Sequence, residues 1–161
     1  MRPFAFIAPL ALAAALAAPA FAQQVTVTVG GDLTDDVEEL GHRDVNEQIE
    51  RLQTVVERRL ARDGALEGAQ VNLILTDLKP NRPTWRQAAD KPGLSIIDSI
   101  SIGGATIEGE VITADGRRMP VRYSRYSSSL ADVQGYTTWQ DADRAYARLA
   151  GNLVSGRLVS R

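Results

Sequence analysis

The chain has 161 residues, no cysteine, and 18 Lys and Arg against 20 Asp and Glu, a formal net charge of −2. Without a thiol, disulfides, thiolate catalysis and thiolate metal sites are excluded. Sixteen of the cations are arginine, as a GC-rich genome would give, and all are scattered. An acidic chain with scattered cations lacks the basic face that nonspecific nucleic-acid binding needs.

Residues 1–22 read as a secretory leader. Arg2 supplies the positive start, residues 4–18 form an Ala- and Leu-rich apolar run broken by Pro9, and Ala20-Phe21-Ala22 offers a small-x-small cleavage site. A membrane anchor would need about 20 apolar residues. Cleavage after Ala22 is expected, and no cysteine follows to make a lipoprotein. The mature chain, residues 23–161, loses Arg2 and keeps 17 cations against 20 anions, a net −3. It is expected to be periplasmic or secreted, without an anchor, and to form one domain. A domain of that size buries about two-thirds of its unfolded surface and needs no staples.

In "QQVTVTVGG" (23–31), Val25, Val27 and Val29 alternate with Thr26 and Thr28, which predicts a half-buried strand. "DLTDDVEELGHR" (32–43) reads as an acidic linker with at most one helical turn. Its acids lack the order and central glycine of a calcium loop, so a solvated turn is the better reading. A helix follows, with Asp44 as N-cap and Glu47 three residues on. Val45, Ile49, Leu52, Val56 and Leu60 make its apolar stripe, and Gly64 ends it. Residues 69–78 form the next strand, with Val71, Leu73 and Leu75 facing the core. Strand, helix, strand predicts a parallel pair joined by a crossover.

The stretch "KPNRPTW" (79–85) must end that strand, because Pro80 and Pro83 lack backbone donors and push Lys79 and Arg82 toward extended conformations. Thr84 and Gln87 then make a second capping box, which predicts a short helix closed by Pro92 and Gly93. That reading leaves Trp85 unexplained: it either plugs the core edge or is displayed to a partner.

The second half reads as antiparallel. "SIIDSISI" (95–102) predicts a strand with Ile96, Asp98, Ile100 and Ile102 on one face, and Gly103 and Gly104 a hairpin turn. Asp98 would then lie in an apolar row, paired to Arg125 or turned outward by a bulge. Residues 105–113 and 117–126 are the last two strands. A two-residue turn at Asp115 and Gly116 would mix core and solvent rows. A three-residue loop, 114–116, with Gly116 left-handed, sets Val111 opposite Met119, Gly109 opposite Val121, Ile107 opposite Tyr123 and Glu108 opposite Arg122. Pro120 suggests an edge strand. After a loop, 127–136, Thr138 caps a final helix with Trp139, Ala142, Tyr146, Leu149 and Leu153 as its stripe.

The expected architecture is therefore α+β, a single domain in the order β-α-β-(short α)-β-β-β-α, with a mixed sheet and two longer helices on one face. No nucleophile elbow, phosphate-cradling loop or zinc-protease motif is present. His42, the sole histidine, has only Arg43 and Asp44 beside it and reads as a surface residue. We expect no catalytic, cofactor or metal residues. "RRMPVRYSRY" interleaves Arg with Tyr; Tyr123 reads as core, and the arginines as partners of Glu108 and Glu110.

"LTDLKPNRPT", "SIGGATIEGEV" and "TWQDADRAYARLAGNL" resemble small exported bacterial proteins grouped only as domains of unknown function. The resemblance spans most of the mature chain. It implies an envelope setting and no activity. The expected function is a non-enzymatic binding or assembly module whose partner is another envelope protein or polymer. Lys79, Asn81, Arg82, Trp85, Arg118 and Arg122 are the candidate contacts. The alternative is a small periplasmic hydrolase or ligand-binding enzyme using Asp98 or Asp77.

Overall fold

The computed structural model describes residues 23–133 and 137–160. The expected leader, and residues 134–136 of the expected loop, lie outside the described residues. Strand β1 (Gln24–Val29) alternates as its sequence demands, Val25 and Val27 buried and Thr26 and Thr28 exposed. It pairs in parallel with β2 (Gln70–Lys79), and helix α2 (His42–Asp63) crosses between them.

The acidic linker is a correction. Residues Leu33–Leu40 form a full helix, α1, with Leu33 and Leu40 buried. The spacing of Leu33, Val37 and Leu40 makes an apolar stripe that the neighbouring acids obscured. Gly41, at φ +97°, separates α1 from α2. Helix α2 accordingly starts before the expected cap, and Asp44 lies inside its first turn. Its buried residues are Val45, Gln48, Leu52, Val56 and Leu60; Ile49 packs partly buried against the core, and the amide of Gln48 joins the stripe beside it. Gly64 ends the helix, as expected, and does so in the left-handed conformation.

The larger correction concerns residues 95–102. They form turns, not a strand, and Ile97, Ile100 and Ile102 are exposed. The Ser95 hydroxyl oxygen accepts the Ile97 and Asp98 N–H groups and donates to the Asp98 carboxylate. Such local bonding competes with a ladder. Asp98 is exposed, so no buried carboxylate exists there. Gly103 and Gly104 are no hairpin turn either. Strand β3 (Gly104–Ile112) begins at Gly104, where a Cβ would come 2.2 Å from the Arg125 carbonyl oxygen.

Strand β3 lies between β2 and β4 (Arg118–Tyr126), antiparallel to both. The β3–β4 register is the one derived above: Val111 pairs with Met119, Gly109 with Val121, Ile107 with Tyr123 and Glu108 with Arg122. Gly116 has φ +83°. A two-residue β5 (Val159–Ser160) pairs with β4 only at Arg122 and Tyr123, leaving Pro120 at an unpaired edge. The sheet order is β1-β2-β3-β4-β5. In β2 the register shifts between Leu75 and Asp77. Thr76 is the extra residue of a bulge, so Leu78 returns to the core and Asp77 points to the open face.

Helix α4 (Gln140–Val154) lies beside α2, and both cover one face of the sheet. Its buried row includes Ala142, Tyr146, Leu149 and Leu153. Trp139, not Thr138, precedes its first turn. The opposite sheet face is polar, with Arg122 3.2 Å from Glu108 and Arg118 2.9 Å from Glu110. No helix among the described residues is long and apolar enough to cross a membrane.

The apolar rows, not these ion pairs, carry the sheet. Ile107→Ala should cost about 2–5 kcal/mol in urea unfolding. Glu108→Ala should cost at most about 1 kcal/mol in the same measurement.

Candidate functional site

The elbow between β2 and α3 (Trp85–Asp90) is organised by Asn81, which is 0% exposed. Its Nδ2 donates to Asp141 Oδ2 at 2.6 Å, and its Oδ1 accepts the Asp141 N–H at 2.8 Å. Its backbone N–H donates to the Thr138 carbonyl at 2.7 Å, and its carbonyl accepts from Ser101 at 2.9 Å. One residue thus ties the exit of β2 to the 91–103 segment and to the start of α4. Asp141, 3% exposed, also accepts from Ser127 Oγ at 2.7 Å and from Arg144 at 3.1 Å. Burial would raise its carboxyl, but the donors Ser127, Asn81 and Arg144 outweigh that and hold it below its ordinary value.

Beyond the elbow, the expected capping box is present: Thr84 Oγ1 accepts the Gln87 N–H at 3.1 Å, and Gln87 Oε1 accepts the Thr84 N–H at 3.2 Å. Glu39 of α1 accepts from Gln87 Nε2 at 3.1 Å and from Lys91 Nζ at 2.6 Å. The Lys91 contact is the main reason its carboxyl titrates below the usual range. Arg82 donates to the Ile97 carbonyl. The platform is therefore fixed on three sides, and it presents Trp85 with 75% of its surface exposed.

Trp85 forms a ridge between two depressions. On one side is an apolar groove of about 650 Å³ lined by Ala88, Ala89, Leu94, Ile96 and Ile97. On the other is a polar cleft of about 820 Å³ between the starts of α2 and α4, with Asp44, Gln48, Arg51 and Trp139 in its walls. The Trp139 side chain donates to the Asp44 carboxylate, whose titration burial pushes upward.

The six candidate contacts are not one surface. Trp85 is displayed. Asn81 has no surface to offer and is spent internally, and Arg82 is tied to the Ile97 carbonyl. Lys79 lies 5.6 Å from the Tyr126 ring centre and 3.9 Å from Asp77. Arg118 and Arg122 lie on the open sheet face with their glutamates and line neither depression. Asp77 accepts from the Tyr126 hydroxyl at 2.7 Å, and burial is the main cause raising that hydroxyl's pKa. His42 lies 2.8 Å from Glu38 on the surface. Among the described residues, no group of three or more His, Asp or Glu side chains could hold a metal.

Three residues of these walls escaped sequence reasoning. Gln48 falls three residues after Val45 and four before Leu52, inside the stripe, so its polarity at a core position was the available signal. Leu94 was assigned to no element, and Ile97 to a strand, residues 95–102, that does not form. No protein-family model matches the chain, and no curated protein matches it.

Removing one partner of a buried charged network leaves the other uncompensated. Asn81→Ala should cost about 3–5 kcal/mol in chemical denaturation. Gly103→Ala should destabilise too, because its Cβ would lie 2.5 Å from Asn81 Oδ1. The lowered Asp141 pKa contributes stability above the unfolded carboxylate pKa, and that contribution is lost as pH falls from about 5 through the folded value. Asp141→Asn should lower the melting temperature at neutral pH and flatten its fall in acid.

Proposed function

We propose that the chain is an exported, non-enzymatic binding or assembly module that docks another envelope protein through the apolar surface around Trp85. One observation carries this reading. Of the eight exposed large hydrophobics among the described residues, five lie between residues 85 and 102: Trp85, Leu94, Ile97, Ile100 and Ile102. Trp85, Leu94 and Ile97 of these line one groove, and an exposed apolar surface of this kind is costly in water and marks interaction surfaces. A rigid aromatic in its midst is the usual anchor of an interface. Asp77 and Asp98, the carboxylates of the enzymatic alternative, are both bonded internally, which favours the binding reading. Export rests on the leader-like residues 1–22.

A photo-crosslinker in place of Trp85, used in cells, should give one discrete protein adduct, and Ile97→Lys should abolish it. Absence of any adduct from a folded, exported protein would remove the docking role. The intact mass of the exported product should correspond to a chain beginning at Gln23.

A further inference from the structure

The arginines are scattered along the chain but not over the fold. Most of the described ones stand in ion pairs, and Arg82 is tied to the Ile97 carbonyl. Among the described residues, Arg58, Arg125, Arg148 and Arg157 have no such side-chain partner. Arg58 lies beside Glu47 and Glu50 on the outer side of α2. Arg125, Arg148 and Arg157 all line one cleft of about 890 Å³, at the end of β4 and the last turns of α4. No Asp or Glu stands in its wall, and its other arginine, Arg59, is 2.6 Å from Asp63. The wall therefore holds three uncompensated positive charges, in a chain whose formal net charge is −2.

Nothing described in the protein fills these donors. Arg125 shares the covered face of β4 with Tyr123 and pairs with the fully buried Ala105, so its side chain is partly withdrawn from water without an acceptor. Such a group calls for a specific reason. The carbonyls at the end of α4, which cations commonly cap, are already taken. Gly151 accepts the Ser155 N–H and hydroxyl, Asn152 the Arg157 N–H and Ser155 hydroxyl, and Leu153 the Gly156 N–H. The helix dipole, worth about half a charge, cannot offset three. One backbone donor joins them. The Arg122 N–H crosses to Leu158 on the outer side of β4, and the Ser127 N–H to Gly103 on the inner side. Strand donors alternate, so the N–H of Tyr126, a wall residue, points outward, past the stretch that β5 covers.

We propose that this cleft binds a phosphate-bearing ligand, its phosphate held by Arg125, Arg148 and Arg157. Guanidinium forks match phosphate and carboxylate oxygens alike. A single carboxylate brings one charge against three, whereas a phosphate monoester brings close to two and three acceptor oxygens. The volume exceeds what a bare ion fills and is within the range of about 300–1,000 Å³ for small-ligand sites. Arg148 and Arg157 are exposed, so the ligand can reach them. The cleft shares no residue with the groove beside Trp85 and does not depend on the docking reading.

The test is isothermal titration calorimetry of the mature chain, residues 23–161, with glucose 6-phosphate to about 10 mM, well past a millimolar dissociation constant. Saturable binding is expected, weakening as salt rises from about 20 to 200 mM, with none for glucose and weaker binding of succinate. Arg148→Gln and Arg157→Gln, both at exposed positions, should each weaken it about tenfold. Arg58→Gln, which removes an equal charge elsewhere, should bind as the parent does. Vesicles of phosphatidylcholine with phosphatidic acid identify the source of the phosphate. Co-sedimentation that Arg148→Gln abolishes assigns a lipid headgroup, and glucose 6-phosphate binding without co-sedimentation assigns a soluble ester. No binding of glucose 6-phosphate, succinate binding equally well, parental affinity in both cleft variants, or an equal loss in Arg58→Gln would overturn the proposal.

Discussion

The pairing of Asn81 with Asp141 is the constraint on which the rest of this molecule's surface depends. A carboxylate with almost no exposure is tolerable only when its lone pairs are filled. Asn81 fills one, and its own carbonyl oxygen is filled in return by the Asp141 backbone N–H. Because Asn81 lies two residues past the end of β2, and Asp141 lies in the first turn of α4, the two halves of the chain are locked at one point. Everything displayed nearby, from Trp85 to Ile102, hangs from that point.

This arrangement explains why "KPNRPTW" has its composition. The prolines end the ladder and give the elbow its stiffness. The asparagine is short enough to be enclosed and carries both a donor and an acceptor, which its two-way bond to Asp141 requires. Gly103 is glycine because Asn81 occupies the space a Cβ would need. Thr84 then starts a helix of only six residues, too short to persist by itself. It is anchored by its capping box and by Glu39. The tryptophan is consequently displayed on a fixed base, at little conformational cost to a partner that grips it.

Much of this was legible in the sequence where side-chain period and turn chemistry agree. The β3–β4 register followed from one requirement, that Val111, Ile107 and the core row of β4 share a face, and a left-handed Gly116 satisfied it. The capping box at Thr84 was equally local. What escaped was decided at long range. Residues 95–102 have a strand's alternation, but both sides of β3 are already taken by β2 and β4, so the segment has no inner edge to join. Helix α1 was hidden because acids outnumber apolar residues in it, though three apolar positions suffice for a stripe. Asn81 read as a surface contact because its partner lies 60 residues away.

The displaced segment 91–103 shows how the lock shapes the surface. Alternating isoleucines off the sheet are a hazard, since an extended apolar strand invites pairing with other chains. Here the Ser95 hydroxyl satisfies the backbone at Ile97 and Asp98, Arg82 takes the Ile97 carbonyl, and Asn81 takes the Ser101 N–H. Several groups that would template a ladder are thus occupied, while Ile97, Ile100 and Ile102 remain exposed. Local bonding removes the edge and leaves the apolar surface. A surface kept in that form suits contact through side chains better than strand addition, and it lies beside Trp85, whose short helix is held by its capping box.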